Sequence, residues 1–236
     1  MRRNILYFFC VFFLSGSLFA RSAELLFSFP VDFKKPSAGF VQTTDALRSV
    51  SWIKANYKEE RRLPFLKEPI RSEGVIFYAP QIGLCREMVQ PMAQKWVVTL
   101  EGMSVTSQEE NSSFKSDNHG QEFQSGIRSF LTIFSGNLAE WEKQFDLFYK
   151  DQEDGWQLGF RPKRKNFLSQ FARVIVLSGT GARVQTMRWE GKDGDVTQTW
   201  FGPVEIRTDL SKIEIQSLFE AAANGAKVLE KKPVQQ

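Results

Sequence analysis

Histidine is almost absent from this chain: His119 is the only one, and it lies in the most polar stretch, QEENSSFKSDNHGQ. Cysteine is nearly as scarce, with Cys10 inside an apolar N-terminal run and Cys85 alone in the body of the chain. One histidine without cysteine neighbours makes no zinc site, Cys85 has no base placed beside it by sequence, and no G-x-S-x-G elbow occurs. GTG at 179–181 and DGD at 193–195 imitate phosphate and calcium motifs, but each lies between strand-like runs and reads as a turn. No catalytic residue, metal site or cofactor is therefore expected, and a hydrolase built on His119 and Cys85 is the least supported reading. No Arg/Lys-rich helix with interleaved aromatics appears either, so nucleic acid is not an expected partner.

The N-terminus carries Arg2 and Arg3, then the apolar run ILYFFCVFFL, then the small-residue stretch SGSLFARSA. That order predicts a secretory signal peptide over residues 1–20, with cleavage between 17 and 23. The alternative, a membrane anchor, is opposed by the run's length, about half of the roughly twenty residues that span a bilayer. Cys10 lacks the small residue that a lipid-modified cysteine normally follows, so no lipoprotein is expected. Losing Arg2 and Arg3 takes the formal net charge from +4 to +2, so the pI of about 9.0 overstates the basicity of the mature protein. Cys85 is then left without a disulfide partner, and the fold must rest on its core. No Pro/Gly/Ser-rich linker divides what remains, which predicts one domain over residues 24–219 and a tail over 220–236 that is a helix end or disordered.

What the sequence has in abundance is aromatic surface: 22 phenylalanines, many in short runs that alternate with polar residues. Residues 62–91 organise the pattern. LPFL and GVIFY flank the polar link KEPIRSE and predict a hairpin, with Pro80 and Pro91 each ending a strand for want of an amide donor. Before it, SAGFVQTTDALRSVSWI predicts a short helix capped by Thr43 or Thr44, followed by the long strand IKANYKEERRLPFL. After it, KWVVTL and MSVTSQ meet at Glu101 and Gly102, and the polar run 108–121 reads as mobile. From Phe145 to Ile206 the alternation predicts an antiparallel meander turning at Asp154-Gly155, Gly179 to Gly181 and Asp193-Gly194. It sets Phe145, Leu147 and Tyr149 on one face, and Trp156, Leu158 and Phe160 on one face of the next strand. RPKRK at 161–165 reads as a solvated turn between two strands, with contact to an anionic headgroup as the alternative.

One helix stands out. Phe123, Ile127, Phe130, Leu131 and Phe134 form a single apolar stripe at helical spacing, and such a stripe must cover something apolar. Gly126 within it costs roughly 1 kcal/mol of helix stability against alanine, which suits a mobile cover.

Gly74, Pro80 and Pro91, the LGFRPK segment and the closing DGDVTQTWF strand, in that order, resemble the LolA/LolB-like family of periplasmic lipoprotein carriers over residues 37–219. The resemblance implies an α+β fold: an unclosed antiparallel half-barrel of about eleven strands whose aromatic face holds acyl chains beneath a helical lid. It implies a periplasmic carrier that shields the acyl chains of a lipoprotein or related lipid on the way to the outer membrane. Inner- and outer-membrane transport proteins are the implied partners, and the carrier a monomer. The alternative on the same fold is a lipid-responsive sensor or regulatory partner. The expected lining comprises lid residues Phe123, Ile127, Phe130, Leu131 and Phe134, with sheet residues Trp96, Val98, Phe145, Leu147, Trp156, Leu158 and Met187. One departure stands against the pattern: where classical carriers latch the lid with an arginine before the first proline, this chain has Ala79.

Overall fold

The computed structural model describes residues 25–80, 82–107, 112–116 and 121–224, with backbone alone for 112–116 and 121–123. Its framework is one antiparallel sheet of eleven strands. Six strands form a first meander: β1 (Trp52–Arg62), β2 (Ile70–Ala79), β3 (Gly83–Gln90), β4 (Gln94–Thr99), β5 (Met103–Ser107) and β6 (Ser112–Ser116). Five form a second: β7 (Phe145–Gln152), β8 (Gly155–Pro162), β9 (Ala172–Thr180), β10 (Arg183–Gly191) and β11 (Val196–Arg207). The order β6-β5-β4-β3-β2-β1-β11-β10-β9-β8-β7 joins them through the β1–β11 pair and leaves β6 and β7 at opposite margins, so the sheet does not close. The β7 margin is covered where Val31 donates its amide to the Leu147 carbonyl and Tyr149 donates to Phe29, which blunts an edge that would otherwise pair with another chain.

The two faces of the sheet are occupied differently. On the inner face, α1 (Ala38–Arg48), α2 (Gln121–Thr132) and α3 (Leu138–Gln144) cover the apolar residues of the second meander and of β1 to β4. Phe40, Thr43, Thr44 and Leu47 of α1 are buried at i, i+3, i+4 and i+7, the spacing that sets one helical face downward. Gly39 lets α1 approach closely, because a Cβ there would lie 2.2 Å from an Asp151 carboxylate oxygen. Thr43 shares a 3.1 Å hydrogen bond with the Tyr149 hydroxyl, which donates onward to Asp151 at 2.7 Å, and burial pushes the Tyr149 phenol up to about 12. On the outer face, α4 (Lys212–Asn224) packs Phe219 and Ala222 against Trp52, Phe77 and Cys85. Leu26 seals the outer face of β7 and β9 against Phe148 and Val176. No helix among the described residues is long and apolar enough to cross a membrane.

Several local expectations are corrected. LPFL is not a strand: β1 ends at Arg62 and Leu63 begins a loop whose Phe65 is 80% exposed. Leu63 and Phe65 alternate correctly, but nothing pairs with them beyond Arg62. The cap of α1 is Ser37, whose side chain accepts the Phe40 amide, rather than Thr43 or Thr44, which lie buried a full turn or more inside the helix. Within the polar run 108–121, residues 112–116 form β6, where pairing with β5 satisfies the backbone without any apolar signal. The 4–5 hairpin turns one residue early, with Thr99 and Gly102 bonded across Leu100 and Glu101.

Candidate ligand-binding site

The stripe on α2 faces the sheet. Ile127 and Leu131 are buried against Tyr78 and Leu84, with Ile53, Ile76, Val98 and Leu100 around them. Phe130 and Phe134 are half-buried and bridge this cluster to the larger core of the second meander. Their rings stand edge-on at 5.7 Å, with Phe130 6.4 Å from Trp189 and Phe134 5.5 Å from Tyr78. Phe134 lies two residues past the last helical residue, Thr132, in the turn that leads to Gly136. Phe123 falls in α2, and its side chain lies outside the described residues.

Beneath Phe134 the inner face does not fill. A void of about 40 Å³ is lined by Ile53 and Ala55 of β1, Ile76 and Tyr78 of β2, Leu84 of β3, Val184 of β10, and Phe201 and Val204 of β11. The alternation of β1 and β2 aims these side chains inward, and the β1–β11 bulge between Ala55 and Tyr57 bends the sheet over them. That volume has room for one or two waters, at ~30 Å³ each in the liquid. An acyl chain needs far more, so α2 must move for one to enter.

The C-terminal end of α2 is tied down, because the last carbonyls of a helix have no partner within it. Tyr78 donates its hydroxyl to the Leu131 carbonyl at 2.9 Å, and Trp141 donates Nε1 to the Thr132 carbonyl at 2.6 Å. Burial raises the Tyr78 phenol far above its ordinary value, so the donor stays protonated. Tyr78 stands one residue before Ala79, and its hydroxyl reaches the lid backbone from the strand that the family's arginine would occupy. Gly126 has a packing reason rather than a flexible one: a Cβ there would lie 2.3 Å from Cδ1 of Phe167, in the short 3-10 turn Phe167–Gln170.

The sheet residues expected to line the site fall into two places. Val98 packs beside the void cluster, and Trp96 shares its face, paired with Arg86. Phe145, Leu147, Trp156 and Leu158 are fully buried with Phe40, Leu47 and Trp141, and Met187 packs partly buried against the same core. These five belong to a filled core rather than to the void. The void's own lining from β1, β2, β10 and β11 was missed, although alternation in IKANY and VIFY marks Ile53, Ala55, Ile76 and Tyr78. Among the described residues no three His, Cys, Asp or Glu side chains stand close enough to hold a metal. His119 lies outside the described residues, and Cys85 is buried on the outer face under α4 with its thiol pushed up to about 11.

Comparison with solved structures finds matches at low identity and modest TM-score. An outer membrane lipoprotein-sorting protein domain from Vibrio parahaemolyticus is 12% identical, with 77% of this chain and 97% of that chain covered at a TM-score of 0.40. A LolA superfamily protein from Nitrosomonas europaea is 8% identical, with 74% and 97% covered at 0.39. MucB in the MucA/MucB complex of Pseudomonas aeruginosa is 10% identical, with 74% and 58% covered at 0.41. A search of the curated proteins finds no match. The sequence profile described as outer membrane lipoprotein carrier protein LolA-like matches residues 40–223, which contain all eleven strands, and the chain belongs to that family.

Proposed function

We propose that this chain is a periplasmic binding and carrier protein that shields the acyl chains of a lipoprotein or related lipid in transit to the outer membrane. The observation that carries the reading is the apolar stripe of α2, whose Phe134 closes a void lined by apolar side chains of the sheet. Burying one CH₂ is worth about 0.8 kcal/mol, so a sixteen-carbon chain represents roughly 12 kcal/mol of gross transfer free energy. Against that gain stand the uncovering of Ile127, Phe130, Leu131 and Phe134 and the loss of the Tyr78 and Trp141 bonds, so cargo drives the lid open and its departure lets the lid close. The ligand face comprises Ile127, Phe130, Leu131 and Phe134 of the lid region, Phe123 by the same helical spacing, and Trp96 and Val98 beside the void. Phe145, Leu147, Trp156, Leu158 and Met187 extend it if the core parts when cargo enters. The chain acts as a monomer and exchanges cargo with transport proteins of the inner and outer membranes.

The test is equilibrium binding of a fluorescent fatty acid to the purified mature protein. Saturable binding at micromolar ligand is expected; a folded protein that binds none sinks the proposal. A pull-down from membranes separates carriage, with transient transporter contacts, from the sensor reading, which requires a stable membrane-protein regulator.

A further inference from the structure

The void has a polar rim. Arg86 points from the inner face of β3 two residues beyond Leu84, and its cross-strand partner on β2 is Ile76, so two lining residues of the void adjoin it. Its Nε donates to the Tyr57 hydroxyl at 2.9 Å, and Nη2 donates to Glu59 at 2.8 Å and to the Ser72 hydroxyl at 3.0 Å. The guanidinium also lies 4.5 Å from the Tyr57 ring centroid. Thr199 donates to the other Glu59 oxygen at 3.0 Å, and Ser72 donates to the first at 3.4 Å. The arginine and glutamate side chains keep 30% and 15% of their surface in solvent. They are held in place yet reachable.

A partly buried ion pair contributes little net stability, so this one is poorly explained as a strut. Its unused valences point to a ligand. Among the described residues nothing accepts from Arg86 Nη1, which leaves two N–H donors. A carboxylate offers about four acceptor sites, of which Arg86, Ser72 and Thr199 take three at Glu59. The rim therefore presents one donor edge for an anionic oxygen beside one acceptor site for a cationic N–H, with the two fixed charges cancelling. A purely anionic headgroup meets Glu59 and a purely cationic one meets Arg86; a zwitterion satisfies both.

We propose that Arg86 and Glu59, steadied by Tyr57, Ser72 and Thr199, form a headgroup subsite for a lipid bearing phosphate and ammonium together, with its acyl chain lying in the enlarged void. This rests on the carrier reading and names the cargo class. The experiment is displacement of a fluorescent fatty acid from the full mature chain by three ligands with the same acyl chain: lysophosphatidylethanolamine, lysophosphatidylglycerol and the free fatty acid. The zwitterionic lipid should bind about tenfold more tightly than the anionic one, the scale of one charge-assisted hydrogen bond. The paired substitution Glu59→Gln with Arg86→Met leaves no lone charge behind and should abolish that preference while both lysophospholipids still displace the probe. Equal affinity for both headgroups in the wild type, or a preference that survives the paired substitution, overturns the subsite and leaves the carrier reading standing. A wild-type chain that binds no fatty acid overturns both.

Discussion

At the scale of single residues, two buried titratable groups make separable predictions. Tyr78 holds the end of α2 through one hydrogen bond to Leu131, so Tyr78→Phe removes the bond and keeps the ring that packs on Phe134. The expected cost is about 1 kcal/mol of stability. Stopped-flow mixing should show fatty acid entering several times faster; an unchanged on-rate would mean that Tyr78 is no latch. Cys85 is fully buried under α4, and its thiol is raised from 9.0 to about 11. The unfolded chain then loses this proton before the folded one does, so the contribution is intact below pH 9 and is lost as pH rises toward 11. Denaturant midpoints should fall by the equivalent of up to about 2 kcal/mol across that window, and Cys85→Ala should flatten the slope whatever it does to stability at neutral pH. The chemistry of both residues was visible in the sequence. Their partners were not, because Leu131 and Ala222 are brought to them by helices far along the chain.

At the scale of elements, α2 sets helix propensity against packing. Gly126→Ala should gain up to ~1 kcal/mol from propensity, but its methyl would collide with Phe167, and overpacking costs about 1–3 kcal/mol. A lower melting temperature for Gly126→Ala, restored when Phe167→Ala is added, is the expected result; a higher one would show that the 3-10 turn yields freely. The stripe itself supplies the sharper test. Phe130 and Phe134 are half-buried, each contributing about 1–2 kcal/mol to the closed state. Glutamates at both positions should open the lid, lower ligand affinity and leave the domain folded. If α2 merely roofs a solid core, two unpaired carboxylates would be buried and the melting transition would collapse. The helix and its inward face were legible from Ile127, Phe130 and Leu131 at helical spacing. The packing reason for the glycine was hidden because the residue it accommodates lies in a different turn, and β6 was missed because a polar edge strand has no hydrophobic alternation to show.

At the scale of the whole molecule, one sheet carries two covers with different duties. The meanders were readable because each strand pairs with its neighbour in sequence and most turns carry Gly, Pro or Asp. Only the long-range β1–β11 pair and the choice of face depended on the fold. The inner cover, α2, meets a void and shares its apolar surface with aromatic rings that can part. The outer cover, α4, packs Phe219 and Ala222 on Trp52, Phe77 and Cys85, and the Ala222 carbonyl is held by Lys95 Nζ at 3.1 Å and accepts from the Cys85 thiol at 3.7 Å. On the carrier reading, opening one face for cargo requires the other to hold the strands in register, which gives α4 the part of a structural clamp. Ending the chain after Asp209 removes α4 and bares that apolar surface, and the truncated protein should melt at a lower temperature. Its Cys85, buried in the intact protein and expected to resist a thiol reagent there at pH 8, should then react within minutes. Addition of fatty acid should slow that reaction only weakly, since ligand enters from the opposite face. Strong protection of Cys85 by fatty acid in the truncated chain would place the ligand, or its effect on the sheet, on the outer side and defeat this division of the two faces.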